Sequence, residues 1–295
     1  MSWWSESDWI DSEAWEFDEY EQRGTTPGMR WATNTLTGES GLFKPESYRK
    51  RSAYCEYAAS KVAELLGIPS AKVLVGILAN MPGCISLDVR SGYTDKIILA
   101  DSLQWSGDLL KLRESSESER VYGRPSEMSF QGLLPFLTYE AELGLVKMMY
   151  FDCITDNPGR HESNYMFSID SRGAINSLLP LFDHGLCFQE ISYLHDFCTA
   201  LGMDVGNGRD EFRGRGRGMR RGWFMFGGSS FPYFGRGGFG SSFPFDDLYG
   251  YIKNDYPELI SYYSERIRSD EFRQGTASLG CYDFIMDKLD SFEGA

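Results

Sequence analysis

Basic residues are scarce in this chain relative to acidic ones. Its 295 residues include 29 Lys and Arg against 43 Asp and Glu, which gives a net charge of −14. Such a charge argues against a general nucleic-acid binder or a protein of anionic membranes. Apolar runs of membrane length are also missing, and the first residues lack the basic-then-apolar pattern of a secretion signal. We therefore expect a cytoplasmic protein.

Cysteines at paired metal-binding spacing are missing as well. The six cysteines are scattered, and several lie in apolar runs typical of a core. We expect reduced thiols in a reducing compartment. Apolar residues make up 42% of the chain, so its composition allows a sizeable core in one large domain or two lobes.

Residues 26–112 have the pattern strand, strand, helix, strand, strand. Two short strands, 30–33 and 41–44, flank a turn-rich segment. An apolar stripe at helical spacing predicts a helix over 52–66, which Gly67 ends. Strands are predicted over 72–78 and 83–89, with a turn at Asn80–Gly83 between them. The pattern indicates a small lobe of antiparallel sheet with one helix.

The remainder, 113–295, is predicted to form a larger and mainly helical lobe. A helix over 133–155 leads into the loop Asp156–Asn164, where Pro158 and Gly159 end it. Two apolar runs, 165–169 and 177–182, surround the turn residues Asp170–Gly173 and predict a hairpin. Further helices are predicted over 191–201 and 246–292.

Two segments depart from globular composition. Residues 1–25 are set apart as an N-terminal segment, because 1–22 hold eight acids, four tryptophans and no base. That segment is interpreted as a mobile tail or as a partner-binding acidic-aromatic segment. Residues 205–247 are rich in Arg, Gly and Phe and predict a flexible insertion. Arg-Gly tracts with aromatic residues can bind single-stranded nucleic acid, but the net charge of −14 favours a regulatory loop over RNA binding through Arg213–Arg236. Pairing of these arginines with the oppositely charged N-terminal segment is a further alternative.

The loop Asp156–Asn164 and the residue after the hairpin, Asp183, carry the strongest chemical signal. The outer ends of a hairpin meet, so we expect Asn164 and Asp183 to lie close together. Carboxylate and amide oxygens suit Mg²⁺, which completes its shell with water and phosphate oxygens. We therefore predict that these two residues bind a metal.

Lys44 and Glu56 lie upstream in an order that suits phosphoryl transfer. That reaction needs a lysine on the nucleotide phosphates and an acid that fixes the lysine. Taken alone, each residue fits an ordinary surface position better, and only the combination with Asn164 and Asp183 favours a function. We assign His161 a packing role below the loop, and Arg160 the role of holding the loop or an anionic group. No glycine-rich cradle precedes Lys44, and the turn 34–41 is the only candidate for one.

These residues resemble the HipA-like kinases, bacterial serine/threonine kinases whose fold is related to that of the phosphatidylinositol kinases. The matching elements are Leu42-Phe-Lys44-Pro45, helix residue Glu56, Gly67-Ile-Pro69, Gly83-Cys-Ile-Ser86, Arg160-His161-x-x-Asn164 and Asp183-x-Gly185. The resemblance spans residues 30–200 and, more loosely, the C-terminal helices. It implies an α+β, two-lobed protein-kinase-like fold with ATP and Mg²⁺ between the lobes.

The resemblance also implies roles for individual residues. Lys44 is expected to bind phosphate with Glu56 as its partner, and Asn164 and Asp183 to bind the metal. Gly159 departs from the family, because many relatives have the catalytic base, an Asp, at this position. We expect Asp156, three residues upstream, to serve as the base or as a looser orienting group.

The leading hypothesis is an ATP- and Mg²⁺-dependent kinase of protein serine and threonine hydroxyls, its own included. Gly159 motivates the alternative, a nucleotide-binding pseudokinase or regulatory binding protein of the same fold. A lipid or small-molecule kinase is a third hypothesis, against which the negative charge argues. The resemblance alone suggests an antitoxin-like regulator as a partner.

Overall fold

The computed structural model describes residues 6–21, 28–46, 52–100, 137–157, 159–160, 162–171, 174–188, 223–224 and 243–294. The strands are β1 (Trp15–Glu21), β2 (Arg30–Asn34), β3 (Ser40–Pro45), β4 (Val73–Leu78), β5 (Met81–Leu87), β6 (Lys96–Leu99), β7 (Met166–Ile169), β8 (Ile175–Leu178), β9 (Trp223–Phe224) and β10 (Phe243–Pro244). The α-helices are α1 (Ser52–Leu66), α2 (Tyr139–Thr155), α3 (Phe245–Asp255), α4 (Pro257–Ile267), α5 (Asp270–Ala277) and α6 (Tyr282–Glu293). None of these helices combines the length and the apolar composition needed to span a membrane.

The first lobe is an antiparallel sheet of five strands in the order β1-β2-β3-β5-β4, with α1 packed on one face. Helix α1 has the predicted bounds. It ends because Gly67 adopts a φ of 70° and the Ile68 N–H bonds back to the Ala63 carbonyl at 2.9 Å, which satisfies carbonyls at the helix end.

The turn between β4 and β5 was predicted wrongly at Asn80–Gly83. The connection is Ala79–Asn80, with φ of 49° and 62°, and Leu78 pairs directly with Met81. Two residues of positive φ match the right-handed twist of paired strands, so a two-residue turn is favoured over a longer one.

The interpretation of the N-terminus as a mobile tail is wrong for residues 6–21. A short 3₁₀ helix at Glu6–Asp8 leads to a bridge between Trp9 and Val75, and β1 then pairs antiparallel with β2. Ile10 and Trp15 are buried. The apolar residues among the acids therefore make this segment part of the sheet.

The two faces of the first sheet pack against different partners, because successive side chains of a strand point to opposite faces. Val73, Val75 and Cys84 join α1 in the main core, which continues into the helices of the second lobe. The opposite face forms a second cluster that includes Phe43 and Ile85. Lys44, next to Phe43, is therefore directed to the α1 side.

The second lobe combines a three-stranded antiparallel sheet, β6-β7-β8, with α2 to α6. The hairpin of β7 and β8 is confirmed, and Asp170 caps its turn by accepting a hydrogen bond from the Ala174 N–H at 2.9 Å. Helix α2 begins at Tyr139, later than the predicted Leu133. Leu137 instead bridges to Ile175, and the Thr138 hydroxyl caps the helix.

Several predictions fall outside the described residues. These are the helix over 191–201, most of the insertion 205–247, and the lobe boundary at residue 112. The five described cysteines are buried free thiols: Cys55, Cys84, Cys153, Cys187 and Cys281. The architecture confirms the predicted fold class, an α+β fold with an antiparallel β lobe carrying one helix and a second, mainly helical lobe.

Candidate functional site

Lys44 is the centre of the site. Its ammonium group pairs with Glu56 Oε1 and lies 2.7 Å from Asp183 Oδ1. The side chain of Lys44 is 9% exposed, that of Glu56 is fully buried, and that of Asp183 is 39% exposed. The second Glu56 oxygen accepts a hydrogen bond from the His184 N–H at 2.9 Å. Glu56 thus joins the strand that carries Lys44 to the segment that carries Asp183.

The charges of this triad support one another. Burial alone would lower the pKa of Lys44, but the carboxylates of Glu56 and Asp183 outweigh it and raise that pKa, so the ammonium persists. Burial would raise the pKa of Asp183, yet Lys44 holds it below its ordinary value. Burial does raise the pKa of Glu56, although Lys44 counteracts this. One cation therefore faces two acids and counteracts the cost of burying each of them.

Arg160 organises the loop that precedes the β7–β8 hairpin. Its guanidinium forms a bidentate pair with Asp152 of α2, at 2.9 and 3.1 Å, and both side chains are fully buried. One further nitrogen, Nη1, donates to the carbonyls of Asn164 at 2.8 Å and Phe182 at 2.7 Å. Because a single nitrogen bonds both carbonyls, Arg160 brings the backbone of Asn164 next to the residue that precedes Asp183. Of its two predicted roles, holding the loop is the one these contacts support.

His184 continues this network behind the site. Arg160 Nη2 lies 3.3 Å from His184 Nδ1, and His184 Nε2 lies 3.1 Å from Ser70 Oγ. Arginine is only a donor, so Nδ1 accepts and Nε2 carries the proton. Burial and the Arg160 charge hold the pKa of His184 well below its ordinary value, which keeps the ring neutral.

Asn164 ends a short 3₁₀ helix, Glu162–Asn164, and is 7% exposed. Its amide nitrogen donates to the Gly159 carbonyl at 2.9 Å, which fixes the orientation of the amide. With the nitrogen engaged, the amide oxygen is the atom available as a ligand. A carboxylate and an amide oxygen form a hard donor set, which fits Mg²⁺.

The position of the missing acid, Gly159, is closely packed. A Cβ placed there would meet Leu186 Cδ1 at 2.8 Å and Asn157 Oδ1 at 3.3 Å. Asn157 is buried and bonds both the Gly159 N–H, at 3.1 Å, and Asp152, at 2.8 Å. The loop is therefore held by buried hydrogen bonds, with Leu186 packed over Gly159.

Asp156, predicted as the base, caps the C-terminal end of α2 with a φ of 52°. Its Oδ2 lies 3.2 Å from Lys288 Nζ on α6, and its side chain is 18% exposed. Among the described residues, no hydrogen bond or ion pair joins Asp156 to Asn164 or Asp183. Its role as base stays a prediction, and His161 lies outside the described residues.

The β2–β3 turn does not offer free amides to phosphates. The N–H groups of Leu36 and Thr37 both bond the Asn34 side chain, at 2.9 and 3.1 Å. The N–H of Gly38 bonds the Asn34 carbonyl at 2.8 Å, and the N–H of Glu39 bonds the Thr37 hydroxyl. These four amides are engaged within the turn itself, so the structure does not support the turn as a phosphate cradle.

Sequence reasoning missed three buried residues of the site: Asp152, Asn157 and His184. A lone acid in the apolar stretch Tyr150-Phe-Asp-Cys-Ile154 was the available signal for Asp152, since an acid on a buried helix face needs a partner. The other two carried no comparable signal.

Comparison with solved structures identifies the fold. The Helicobacter pylori proinflammatory kinase CtkA matches with a TM-score of 0.59 and 14% identity, over 95% of this chain and 92% of CtkA. The chain has the fold of this kinase. HipA of Shewanella oneidensis MR-1, from a toxin–antitoxin complex with HipB and its operator DNA, aligns at a TM-score of 0.42 and 13% identity, over 100% of this chain and 67% of HipA. No family model and no curated protein matches the sequence.

Proposed function

We propose that this protein is an ATP- and Mg²⁺-dependent kinase that phosphorylates protein serine or threonine hydroxyls, its own included. The observation that carries the proposal is the triad of Lys44, Glu56 and Asp183. These residues come from a strand, a helix and a loop, and Lys44 and Asp183 are 139 positions apart. Burying a lysine between two acids carries a desolvation cost, which makes a purely structural role a poor explanation. A kinase uses this arrangement to hold nucleotide phosphates.

Each residue has a definite task in this proposal. Lys44 binds the phosphate oxygens, and Glu56 holds its ammonium group in place. Asn164 and Asp183 hold Mg²⁺, which neutralises phosphate charge when it is bound. Arg160 bonds the carbonyls of Asn164 and of Phe182, the residue before Asp183, and so fixes the backbone that carries both proposed ligands.

The acceptor side of the site supports two versions of the proposal. In the first, Asp156 orients or deprotonates the acceptor hydroxyl, which requires it to leave Lys288. In the second, the protein is a nucleotide-binding pseudokinase. The packing of Leu186 against Gly159 and the ion pair of Asp156 with Lys288 favour this second version. Loss of an ideal base need not abolish transfer, because positioning and charge neutralisation contribute most of the catalysis.

The identity of the acceptor rests on the family resemblance. Protein hydroxyls are preferred to lipids because the net charge of −14 disfavours an anionic membrane surface. An antitoxin-like regulator and weak nucleic-acid binding through residues 213–236 are expectations of the sequence only.

A phosphotransfer assay with radiolabelled ATP and Mg²⁺ tests the proposal. The purified protein is incubated alone and with a generic basic protein substrate, and phosphoserine and phosphothreonine are identified by mass spectrometry. The inactive reference is Asp183→Asn. The matched control is Asp287→Asn, which makes the same change at an exposed site of α6.

The outcomes separate the versions. Transfer that is lost in Asp183→Asn and kept in Asp287→Asn supports the kinase. In that case Asp156→Ala reports on the base, and wild-type rates would remove Asp156 from the mechanism. Absence of transfer together with Mg²⁺-dependent nucleotide binding that Lys44→Met abolishes supports the pseudokinase. Absence of both transfer and nucleotide binding contradicts both versions.

A further inference from the structure

The N-terminal segment, residues 6–21, is attached to the helix that carries Glu56. Asp8 ends the short 3₁₀ helix and is 2% exposed. Its Oδ2 accepts a hydrogen bond from the Tyr57 hydroxyl at 3.1 Å and pairs with Lys61 Nζ at 3.0 Å. Tyr57 directly follows Glu56, and Lys61 lies about one turn further on. A buried carboxylate of the segment is therefore bonded to the part of α1 that positions the lysine partner.

From Asp8 the segment passes around the β4 edge of the sheet. The Ile10 N–H donates to the Val75 carbonyl at 2.9 Å, and the Ile10 side chain packs in the core cluster on the opposite face from α1. Gly76 makes this close approach possible, because a Cβ there would lie 3.1 Å from the Ile10 Cβ. The segment thus covers both faces of the sheet at one edge.

The other end of the segment is attached to the hairpin that delivers Lys44. The Ala14 carbonyl accepts two hydrogen bonds from Thr35, from its N–H at 2.8 Å and from its hydroxyl at 3.1 Å. Strand β1 then pairs with β2 along the same hairpin. One continuous segment therefore joins the helix of Glu56 to the hairpin of Lys44.

We propose that residues 6–21 form a clasp that holds α1 against the sheet, and that Asp8 is a positioning residue for the Lys44–Glu56 pair. The idea rests on the proposed kinase function for its catalytic consequence. Tyr57 and Lys61 are both protonated donors that meet at Asp8. Without that carboxylate, Tyr57 has no other hydrogen-bond acceptor among the described residues, and Lys61 keeps the exposed Glu64 and its contact with the Tyr57 ring. Helix α1 then opens more readily, and Glu56 is held less firmly at Lys44.

Hydrogen exchange tests the clasp without any assumption about activity. Exchange of the α1 amides, residues 53–66, is followed by mass spectrometry in Asp8→Ala and in Glu16→Gln, which removes an exposed acid of the same segment. We expect α1 to exchange about tenfold faster in Asp8→Ala and at the wild-type rate in Glu16→Gln, since losing a tertiary anchor lowers the cost of local opening. Wild-type exchange of α1 in Asp8→Ala would overturn the clasp. If that variant does not fold, Lys61→Met is measured in its place, with the same two outcomes.

Kinetics on the same variants test the positioning role. We expect the kcat for phosphotransfer to fall roughly tenfold or more in Asp8→Ala, with a smaller change in KM for ATP, because misplaced groups slow the chemical step. Faster exchange of α1 with kcat equal to that of Glu16→Gln would overturn the positioning role. An inactive wild-type protein would count against the proposed kinase function, while the exchange result would still decide the clasp.

Discussion

The substitution Arg160→Lys keeps the charge at the centre of the buried network and removes its geometry. Arg160 makes five hydrogen bonds to four residues, and its pair with Asp152 is fully buried. Lysine has three donors on one nitrogen, so at least two of these acceptors lose their partner. Each unsatisfied buried acceptor costs about 1–3 kcal/mol, so we expect a loss of about 2–6 kcal/mol of unfolding free energy.

A loss of this size is a large fraction of the roughly 5–15 kcal/mol by which a folded protein is stable. Taking about 2 °C per kcal/mol for a large domain, the melting temperature should fall by about 4–12 °C. The matched control is Arg268→Lys, because Arg268 pairs with Asp290 and Glu293 while its side chain is 41% exposed. Surface pairs contribute about 0–1 kcal/mol, so the control should shift melting by about 2 °C or less.

Differential scanning calorimetry of the three proteins measures these shifts. We also expect Arg160→Lys to weaken Mg²⁺-dependent nucleotide binding, because the carbonyls of Asn164 and Phe182 lose their shared donor. A melting temperature within the range of the Arg268→Lys control would refute the argument that Arg160 organises the loop.

Three further predictions concern protonation, the missing acid and the lysine. In the unfolded chain His184 takes up a proton near pH 6.5, whereas in the folded protein its lowered pKa keeps the ring neutral. Acid therefore stabilises the unfolded state, and the free energy of unfolding should fall by about 1 kcal/mol between about pH 7 and 5.5. Urea unfolding of His184→Gln should lack this contribution, and an unchanged pH slope would contradict it. Gly159→Asp should raise kcat about tenfold or more, because it adds a general base to the loop. The backbone accepts the change, since Gly159 has no left-handed φ and the Leu186 methyl group can move aside. An unchanged kcat would show that a carboxylate at position 159 does not act on the acceptor hydroxyl. Lys44→Met removes the cation beside Glu56 and should weaken titrated binding of a fluorescent ATP analogue about tenfold or more; unchanged affinity would exclude phosphate contact.

Elements with strong local patterns could be predicted from the sequence. The apolar stripe and Gly67 predicted α1 with its observed bounds, because helix periodicity and a glycine stop act within a few residues. The β7–β8 hairpin followed from two apolar runs around Asp170. The turn at Ala79–Asn80 was missed, since Pro82 and Gly83 are also turn formers and only the strand register decides between the two positions.

The N-terminal segment was misjudged because its composition resembles that of a tail. Its eight acids, without a single base, are interspersed among the apolar residues and hide any clear period. Ile10 and Trp15 are nevertheless buried in one cluster with residues such as Leu74 and Ile85, which lie 59 or more positions further along the chain. No local pattern reports such contacts, so burial here could be known only from the fold.

The sequence by itself determined α1, the β7–β8 hairpin and the order of Lys44, Glu56, Asn164 and Asp183 along the chain. It could do so because periodicity, turn chemistry and side-chain type are local properties. Only the tertiary structure decided that Lys44 lies between two acids, that Arg160 is the buried centre of the loop, and that Asp156 is paired with Lys288. These contacts join residues far apart along the chain. Their electrostatic energies depend on short distances and a low local dielectric, which arise only after packing has excluded water.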